Sequence, residues 1–206
     1  MTPSFILASG SPRRRELLSE IGITFTVIKP DIAEQRTAGE PPLEYVARLS
    51  REKAAAVADM IARRDDAAGA PTVILAADTT VILAAEPLGI QNGDILEKPA
   101  SEAEARAMLR RLRGKPHTVA TALTLLRIAP DGTRQADTRV TQSSVYMRDY
   151  TDDEIETYIA TREPFDKAGA YAIQDTTGFR PAARYEGSYT NIMGLPIETL
   201  RDMLSG

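Results

Sequence analysis

The chain has 206 residues, of which 43% are hydrophobic and 26% charged, a mixture typical of one globular domain with its own core. Its net charge of −4 disfavours binding to nucleic acid through a broad basic surface. The absence of cysteine excludes disulfides and thiolate metal sites, and a single histidine, His117, excludes zinc sites built from several histidines. We therefore expect one domain spanning residues 1–206.

No apolar stretch approaches the length of about 18 residues that a membrane-spanning helix needs. The N-terminus also lacks the pattern of a secretory signal peptide. We therefore expect a soluble protein of the cytoplasm with no membrane partner.

Strands and helices are predicted along the whole sequence. Apolar and β-branched runs predict strands at 5–8, 24–28, 117–127 and 138–147, and a central strand pair within "TVILAADTTVIL" at 72–83. Helical patterns predict helices at 12–21, 43–63, 101–113, 152–160 and 196–204, with capping boxes opening the third and fourth. The segment "AAEPLGIQNGDILEKP" predicts an extended hairpin loop. This mixture indicates an α/β or α+β fold.

The first predicted helix carries positively charged side chains at its N-terminus, where the helix dipole is also positive. Ser11 is the predicted N-cap and Pro12 the first helical residue, so the three arginines at 13–15 fall in the first turn. The third and fourth helices have acids in that turn instead. A bound anion would make the arginines favourable, and Gly10 would let the backbone approach it closely. The alternative is an ordinary solvated basic face.

Two further charges interrupt apolar patterns. Lys53 falls within the apolar stripe of the long second helix, where it either snorkels to the surface or directs its ammonium into a cleft to meet phosphate. Asp78 lies in the middle of the apolar run at 72–83. Its carboxylate either binds a metal or accepts a proton, or it forms a turn between two strands.

Polar residues of the loops extend this set. Glu34, Lys98, Lys167 and Gln174 each have the polarity of an ordinary loop. Together with Asp78 they supply two carboxylates for a metal, cations for phosphate, and a neutral amide suited to the edge of a base. This is the inventory of a nucleotide phosphate site.

The motifs "SGSPRRRELL", "ADT", "LEKP", "DKAGAYAIQ" and "GSYTNIMGLP", in this order, closely resemble the Maf family of nucleoside triphosphate pyrophosphatases. The resemblance spans nearly the whole chain. It implies an α/β fold similar to that of the inosine triphosphate pyrophosphatases, with a twisted mixed sheet, flanking helices and a deep cleft between two lobes. It also implies a cytoplasmic enzyme and admits a homodimer, since many members are dimers.

The resemblance implies roles for individual residues. Asp78 matches the proton acceptor of the family, and Arg13, Thr79 and Gln174 match positions associated with substrate choice. Other polar positions that line the family's site are matched by Ser9, Arg14, Glu34, Lys53 and Lys98. The implied reaction is metal-dependent hydrolysis of a nucleoside triphosphate between its α- and β-phosphates. Glu34 and Asp78 would hold Mg²⁺ or Mn²⁺.

The segment "DKAGAYAIQ" resembles the branch of the family that acts on dTTP and UTP. Two departures from the family pattern affect the cleft. The loop at 84–98 is longer than usual, and Asp175 stands where glycine is usual, beside the presumed base-reading Gln174. We expect them to broaden or shift the base preference, which leaves modified nucleotides open as substrates.

Two other functions are consistent with parts of this pattern. One is a nucleotide-binding regulator of cell division or septum formation with low turnover. The other is a protein that binds single-stranded nucleic acid through the arginines, which the acidic total charge and the absence of tryptophan disfavour. We therefore expect a nucleoside triphosphate as the partner, and no nucleic acid.

Overall fold

The computed structural model describes residues 3–63, 70–83, 93–174 and 178–206. Within these ranges, seven strands form one mixed sheet. The strands are β1 (Ser4–Ala8), β2 (Thr26–Val27), β3 (Thr72–Leu83), β4 (Asp94–Leu96), β5 (Pro116–Ile128), β6 (Arg134–Met147) and β7 (Ala182–Glu186). The helices are α1 (Pro12–Glu20), α2 (Pro42–Ala62), α3 (Glu102–Leu112), α4 (Asp152–Ala160), α5 (Tyr189–Ile192) and α6 (Ile197–Ser205).

The sheet is mixed because β1 pairs in parallel with β2 and β3, whereas all other described pairs are antiparallel. Its order is β2-β1-β3-β5-β6-β7, and β4 also pairs with β3. One edge of β3 is covered by β5 almost from end to end. On the opposite edge β1 covers residues 72–76 and β4 covers residues 81–83. On that edge, no strand of the described residues pairs with residues 77–80.

The core is divided between two lobes. In one lobe, α2 packs on one face of the sheet while α1 and α6 pack on the other. In the second lobe, α3 and α4 bury their apolar sides against the far ends of β3, β5 and β6. The predicted architecture, a mixed sheet flanked by helices in two lobes, is confirmed.

Most of the predicted elements form close to their expected positions. The capping box of α4 is complete, because Thr151 accepts from the Glu154 amide and the Glu154 carboxylate accepts from the Thr151 amide. In α3 the N-cap Ser101 behaves as predicted, but the carboxylate of Glu104 accepts from the Ala100 amide, so the capping box is not formed there. Strands β4 and β7 were not predicted, because each is short and surrounded by loop-forming residues.

The prediction of a strand pair at 72–83 is wrong. These residues form one continuous strand, and its register against β5 is unbroken from Thr72 to Ile82. Asp78 therefore forms no turn. A carboxylate in mid-strand is tolerated because the Lys53 ammonium pairs with it. The predicted strand at 24–28 also shortens to the two residues of β2.

Candidate active site

A cleft of about 430 Å³ opens where β3 lacks a neighbour. Its walls come from the loop after β1, the middle of β3, the residues after β4 and the segment 166–174. Every residue predicted for the site lines this one cleft: Ser9, Arg13, Arg14, Glu34, Lys53, Asp78, Thr79, Lys98 and Gln174. Residues as far apart in the chain as Ser9 and Gln174 therefore lie in the same cleft.

The alternation of β3 directs consecutive side chains to opposite faces of the sheet. Asp78 points to the face covered by α2, where it contacts Lys53. Thr79 points to the other face, where its hydroxyl contacts Arg14 and Thr121. Two adjacent residues therefore present an acid and a hydroxyl to different parts of the cleft.

A buried ammonium joins the two carboxylates of the cleft. The Lys53 Nζ lies 2.6 Å from Asp78 Oδ1 and 2.8 Å from Glu34 Oε1. The Lys53 and Asp78 side chains are almost buried, whereas about half of the Glu34 side chain is exposed. Of the two interpretations of Lys53, snorkelling and a cleft-directed ammonium, the geometry favours the second.

Burial raises the pKa of Asp78 above its ordinary value, and the nearby Lys53 and Arg14 charges only partly oppose that effect. For Glu34, burial also acts to raise the pKa, but the hydrogen bond from Lys53 outweighs it and the net pKa is lowered. The cleft therefore shifts the pKa values of the two carboxylates in opposite directions, and the raised one belongs to Asp78.

Arg14 is fixed by four hydrogen bonds to protein atoms. Its Nε donates to Gly194 O at 2.8 Å, and its Nη1 donates to Ser9 Oγ at 3.2 Å and to Ala77 O at 3.0 Å. Its Nη2 donates to Thr79 Oγ1 at 3.0 Å. Burial lowers its pKa, with the Asp78 charge acting in the opposite direction. Arg14 therefore connects three parts of the chain, which are the loop that follows β1, strand β3 itself and the turn at Gly194. It also lines the cleft.

The three arginines of α1 separate into different environments. Arg13 is half-buried at the cleft, 4.0 Å from the carboxylate of Asp166, whereas Arg15 is exposed and does not line the cleft. Ser11 is the N-cap by position, but its side chain accepts no capping hydrogen bond. This geometry favours the anion-binding interpretation for Arg13 and Arg14 and the solvated face for Arg15.

The remaining predicted loop residues divide in a similar way. Lys98, Lys167 and Gln174 all line the cleft, but the Lys167 ammonium is occupied by Asp166 and Glu163, with Nζ 2.7 Å from a carboxylate oxygen of each. A Cβ added at Gly10 would meet only the Lys29 side chain at 3.5 Å, an ordinary contact, so packing does not require glycine there. Asp175 and residues 84–92 of the long loop lie outside the described residues.

Sequence reasoning missed two hydrogen bonds beside the cleft. The Tyr45 hydroxyl donates to the carboxylate of Glu97, which directly precedes Lys98 in "LEKP". His117 and Tyr171 are also paired and buried, with His117 Nε2 2.6 Å from the Tyr171 hydroxyl oxygen. The signals were weak, because Tyr45 fits an apolar stripe and His117 lies in a predicted strand.

The donor set fits a divalent cation that arrives with a phosphate group. In the described part of the chain, no group of three or more acidic or histidine side chains could hold a metal ion by itself. Glu34 and Asp78 nevertheless lie on one shared ammonium and supply two carboxylates. Mg²⁺ is commonly held by one or two carboxylates together with substrate phosphates and water.

Comparison with known proteins agrees with this geometry. The Maf-like protein family model matches residues 4–206. A protein of Syntrophus aciditrophicus named dTTP/UTP pyrophosphatase is 42% identical over 98% of this chain and 91% of its own length. A protein of the same name from Bdellovibrio bacteriovorus is 39% identical over 100% of this chain and 99% of its own.

The chain belongs to the Maf family. Among solved structures, the Ham1 protein of Staphylococcus aureus is a distant likeness, with 15% identity over 98% of both chains and a TM-score of 0.42. Across the described residues, none of the helices has the length and apolar character needed to cross a membrane.

We predict that Lys53→Met destabilises the fold by about 3 kcal/mol at pH 7, because it leaves the buried Asp78 carboxylate without its counter-ion. In that background, Asp78→Asn should recover about 1–2 kcal/mol, since it removes the unpaired charge. Urea unfolding of the two single variants and the double variant measures this coupling. Strictly additive effects would contradict the pairing.

We also predict that His117 makes the protein less stable in mild acid. Burial lowers its pKa to about 4, so folding disfavours the charged form and the unfolded chain binds the proton more readily. The full stability is therefore present above the unfolded pKa of about 6.5 and declines as the pH falls towards 4. Between pH 7 and pH 5 this loss is about 2 kcal/mol.

The matched variant is His117→Gln, which cannot titrate. Urea unfolding at pH 7 and pH 5 should give a smaller pH-dependent loss in the variant than in the wild type, by that amount. The carboxylates contribute equally to both proteins. An identical pH dependence in the two would exclude His117 as the cause.

Proposed function

We propose that this chain is a nucleoside triphosphate pyrophosphatase that hydrolyses dTTP and UTP to the nucleoside monophosphate and pyrophosphate. The observation that carries the proposal is the buried Asp78 carboxylate, held by Lys53 at the floor of a cleft that Arg13, Arg14 and Lys98 also line. The names of the relatives from Syntrophus aciditrophicus and Bdellovibrio bacteriovorus support the reaction and the substrates.

The triphosphate would bind with its anionic tail towards the N-terminus of α1. Free amides at the start of a helix favour an anion, and the Arg13 guanidinium beside them adds a charge-assisted contact. Lys98 supplies a further cation at the cleft wall. Arg14 supports this end of the cleft from its fixed position, because most of its donors are already engaged by protein oxygens.

Asp78 would accept the proton of the attacking water. The water oxygen bonds to the α-phosphorus, one water proton moves to the Asp78 carboxylate, and the bond from that phosphorus to the bridging oxygen of pyrophosphate breaks. The raised pKa of Asp78 brings it closer to the value at which a general base works best near neutral pH. Lys53 keeps the carboxylate ionised and oriented.

A divalent cation, Mg²⁺ or Mn²⁺, would be held by Glu34 and Asp78 together with phosphate oxygens. When bound, it lowers the pKa of water and neutralises charge on the phosphates. The carboxylates already attract a cation before substrate arrives, since they hold the Lys53 ammonium between them.

Base selection would lie on the other side of the cleft. Gln174 lines that wall and offers both a donor and an acceptor to the edge of a pyrimidine base. Thr79 matches a second position associated with substrate choice, and its hydroxyl is hydrogen-bonded to Arg14 and Thr121. Ser9, whose hydroxyl accepts from the Ser11 amide, shapes the phosphate end of the same cleft.

We also propose a single domain without nucleic-acid or membrane partners, on the basis of its length, its net charge and its short apolar runs. A cytoplasmic location and a homodimer are proposed from the family resemblance.

The decisive experiment for the function is pyrophosphate release across dTTP, UTP, the other canonical triphosphates and modified triphosphates. The assay is run with Mg²⁺, with Mn²⁺ and with a chelator. Tight dTTP binding with no pyrophosphate release would instead favour the nucleotide-binding regulator of cell division.

We predict that Asp78→Asn lowers the rate of pyrophosphate release by about 100-fold or more, the usual contribution of a general base, while the fold is retained. Retention of the fold is expected because the Lys53 ammonium keeps Glu34 as a partner. Steady-state kinetics with dTTP, together with thermal unfolding, tests both parts. Turnover at the wild-type rate would refute the role of Asp78.

We predict that Arg13→Ala raises the KM for dTTP about tenfold, the equivalent of one charge-assisted contact, with a smaller change in kcat. The matched control is Arg15→Ala, which removes the same charge from the same helical turn but outside the cleft. Its kinetics should equal those of the wild type. Equal effects of the two substitutions would indicate a general influence of net charge instead.

A further inference from the structure

The single histidine of the chain lies behind the wall of the cleft. His117 and Tyr171 are 3% and 5% exposed, and His117 Nε2 is 2.6 Å from the Tyr171 hydroxyl oxygen. Their rings meet edge to face, with centroids 5.3 Å apart. Tyr171 lines the cleft three residues before Gln174, so this contact connects β5 to the wall that would read the base.

This hydrogen bond is the polar contact that the structure gives the His117 ring. His117 Nδ1 is buried and, in the described part of the chain, has no hydrogen-bond partner. Because burial holds the ring neutral, it carries one proton. The tautomer decides whether Nε2 donates to the Tyr171 oxygen or accepts from the Tyr171 hydroxyl, and in either case the bond links the two buried side chains.

The backbone before Tyr171 adopts conformations that need external support. Ala170 is fully buried with a φ of 61°, a left-handed conformation that disfavours any residue with a Cβ. Gly169 has a φ of 71°, and a Cβ added there would lie 2.9 Å from the Val81 side chain. Such a conformation persists only where its surroundings fix it.

The segment 167–174 is held at several points. The Gly169 amide donates to Glu97 O at 3.0 Å, the Ala172 amide donates to the Tyr158 hydroxyl at 3.2 Å, and Lys167 is tied at one end to Asp166 and Glu163. Towards Gln174, the Tyr171 side chain is hydrogen-bonded to His117 of β5, and Ile173 packs against the core of the second lobe.

We propose that His117 is a positioning residue for base selection: through its hydrogen bond to Tyr171 it fixes the backbone that carries Gln174. This inference rests on the proposed function. The Gln174 amide has to be held in place because a terminal amide carries both a donor and an acceptor and can present either to a base. Discrimination between uracil and cytosine, whose edges have opposite donor and acceptor patterns, depends on how firmly that amide is placed.

The experiment compares UTP with CTP, which share ribose and triphosphate and differ at the base edge. His117→Phe keeps a ring but removes the nitrogen that makes the hydrogen bond, and Tyr171→Phe removes only the hydroxyl. Each should lower the ratio of kcat/KM for UTP to that for CTP about tenfold, the equivalent of one hydrogen bond, through a raised KM for UTP with kcat nearly unchanged. The double variant should be no worse than either single variant, and His117→Gln, which keeps an N–H donor, should restore part of the ratio.

Two results would overturn the proposal. One is an unchanged ratio in a folded His117→Phe or Tyr171→Phe protein. The other is an equal loss of activity on both nucleotides, which a merely structural role would give. Tyr171→Phe decides the question if His117→Phe does not fold. A wild-type protein that releases no pyrophosphate from UTP would refute the proposed function itself, and nucleotide binding by the variants would then test the positioning separately.

Discussion

The buried ion pair between Lys53 and Asp78 is the interaction on which the cleft depends. A carboxylate in the middle of a central strand is costly to bury unless a counter-charge meets it, and α2 supplies that charge 2.6 Å away. The pair fixes α2 against β3 and keeps the carboxylate ionised at the point where it faces the cleft. The same ammonium also draws in Glu34, so one cation assembles both acids of the site.

The position of the cleft follows from incomplete pairing of the sheet. On one edge of β3, β1 covers residues 72–76 and β4 covers residues 81–83, so no described strand pairs with residues 77–80 there. Residues after β1 and after β4 line the cleft at this gap. Strand alternation then directs Asp78 towards Lys53 and Thr79 towards Arg14. Two adjacent residues of a single strand therefore present different groups to the cleft.

Local sequence signals were sufficient for most of the helices and the longer strands. The N-cap at Thr151 and the apolar stripe of α2 depend on residues a few positions apart, so they can be read without knowledge of the fold. The misplaced charges in α1, at Lys53 and at Asp78 also identified the cleft, because each violates a local rule that only a partner elsewhere can satisfy. The prediction of a strand pair at 72–83 was wrong because the partner of Asp78 could not be read locally. That partner is Lys53 on α2, 25 residues away in the chain.

The sequence by itself determined the composition class, the order of the elements, the family resemblance and the residues that would gather around a phosphate group. Only the tertiary structure decided which of the neighbouring arginines line the cleft and that Arg14 is engaged by protein oxygens. It also decided that the Lys167 ammonium is paired with the carboxylates beside it, and that His117 is hydrogen-bonded to Tyr171. The physical reason is that these roles depend on contacts between residues far apart in the chain, which local propensity and periodicity do not encode.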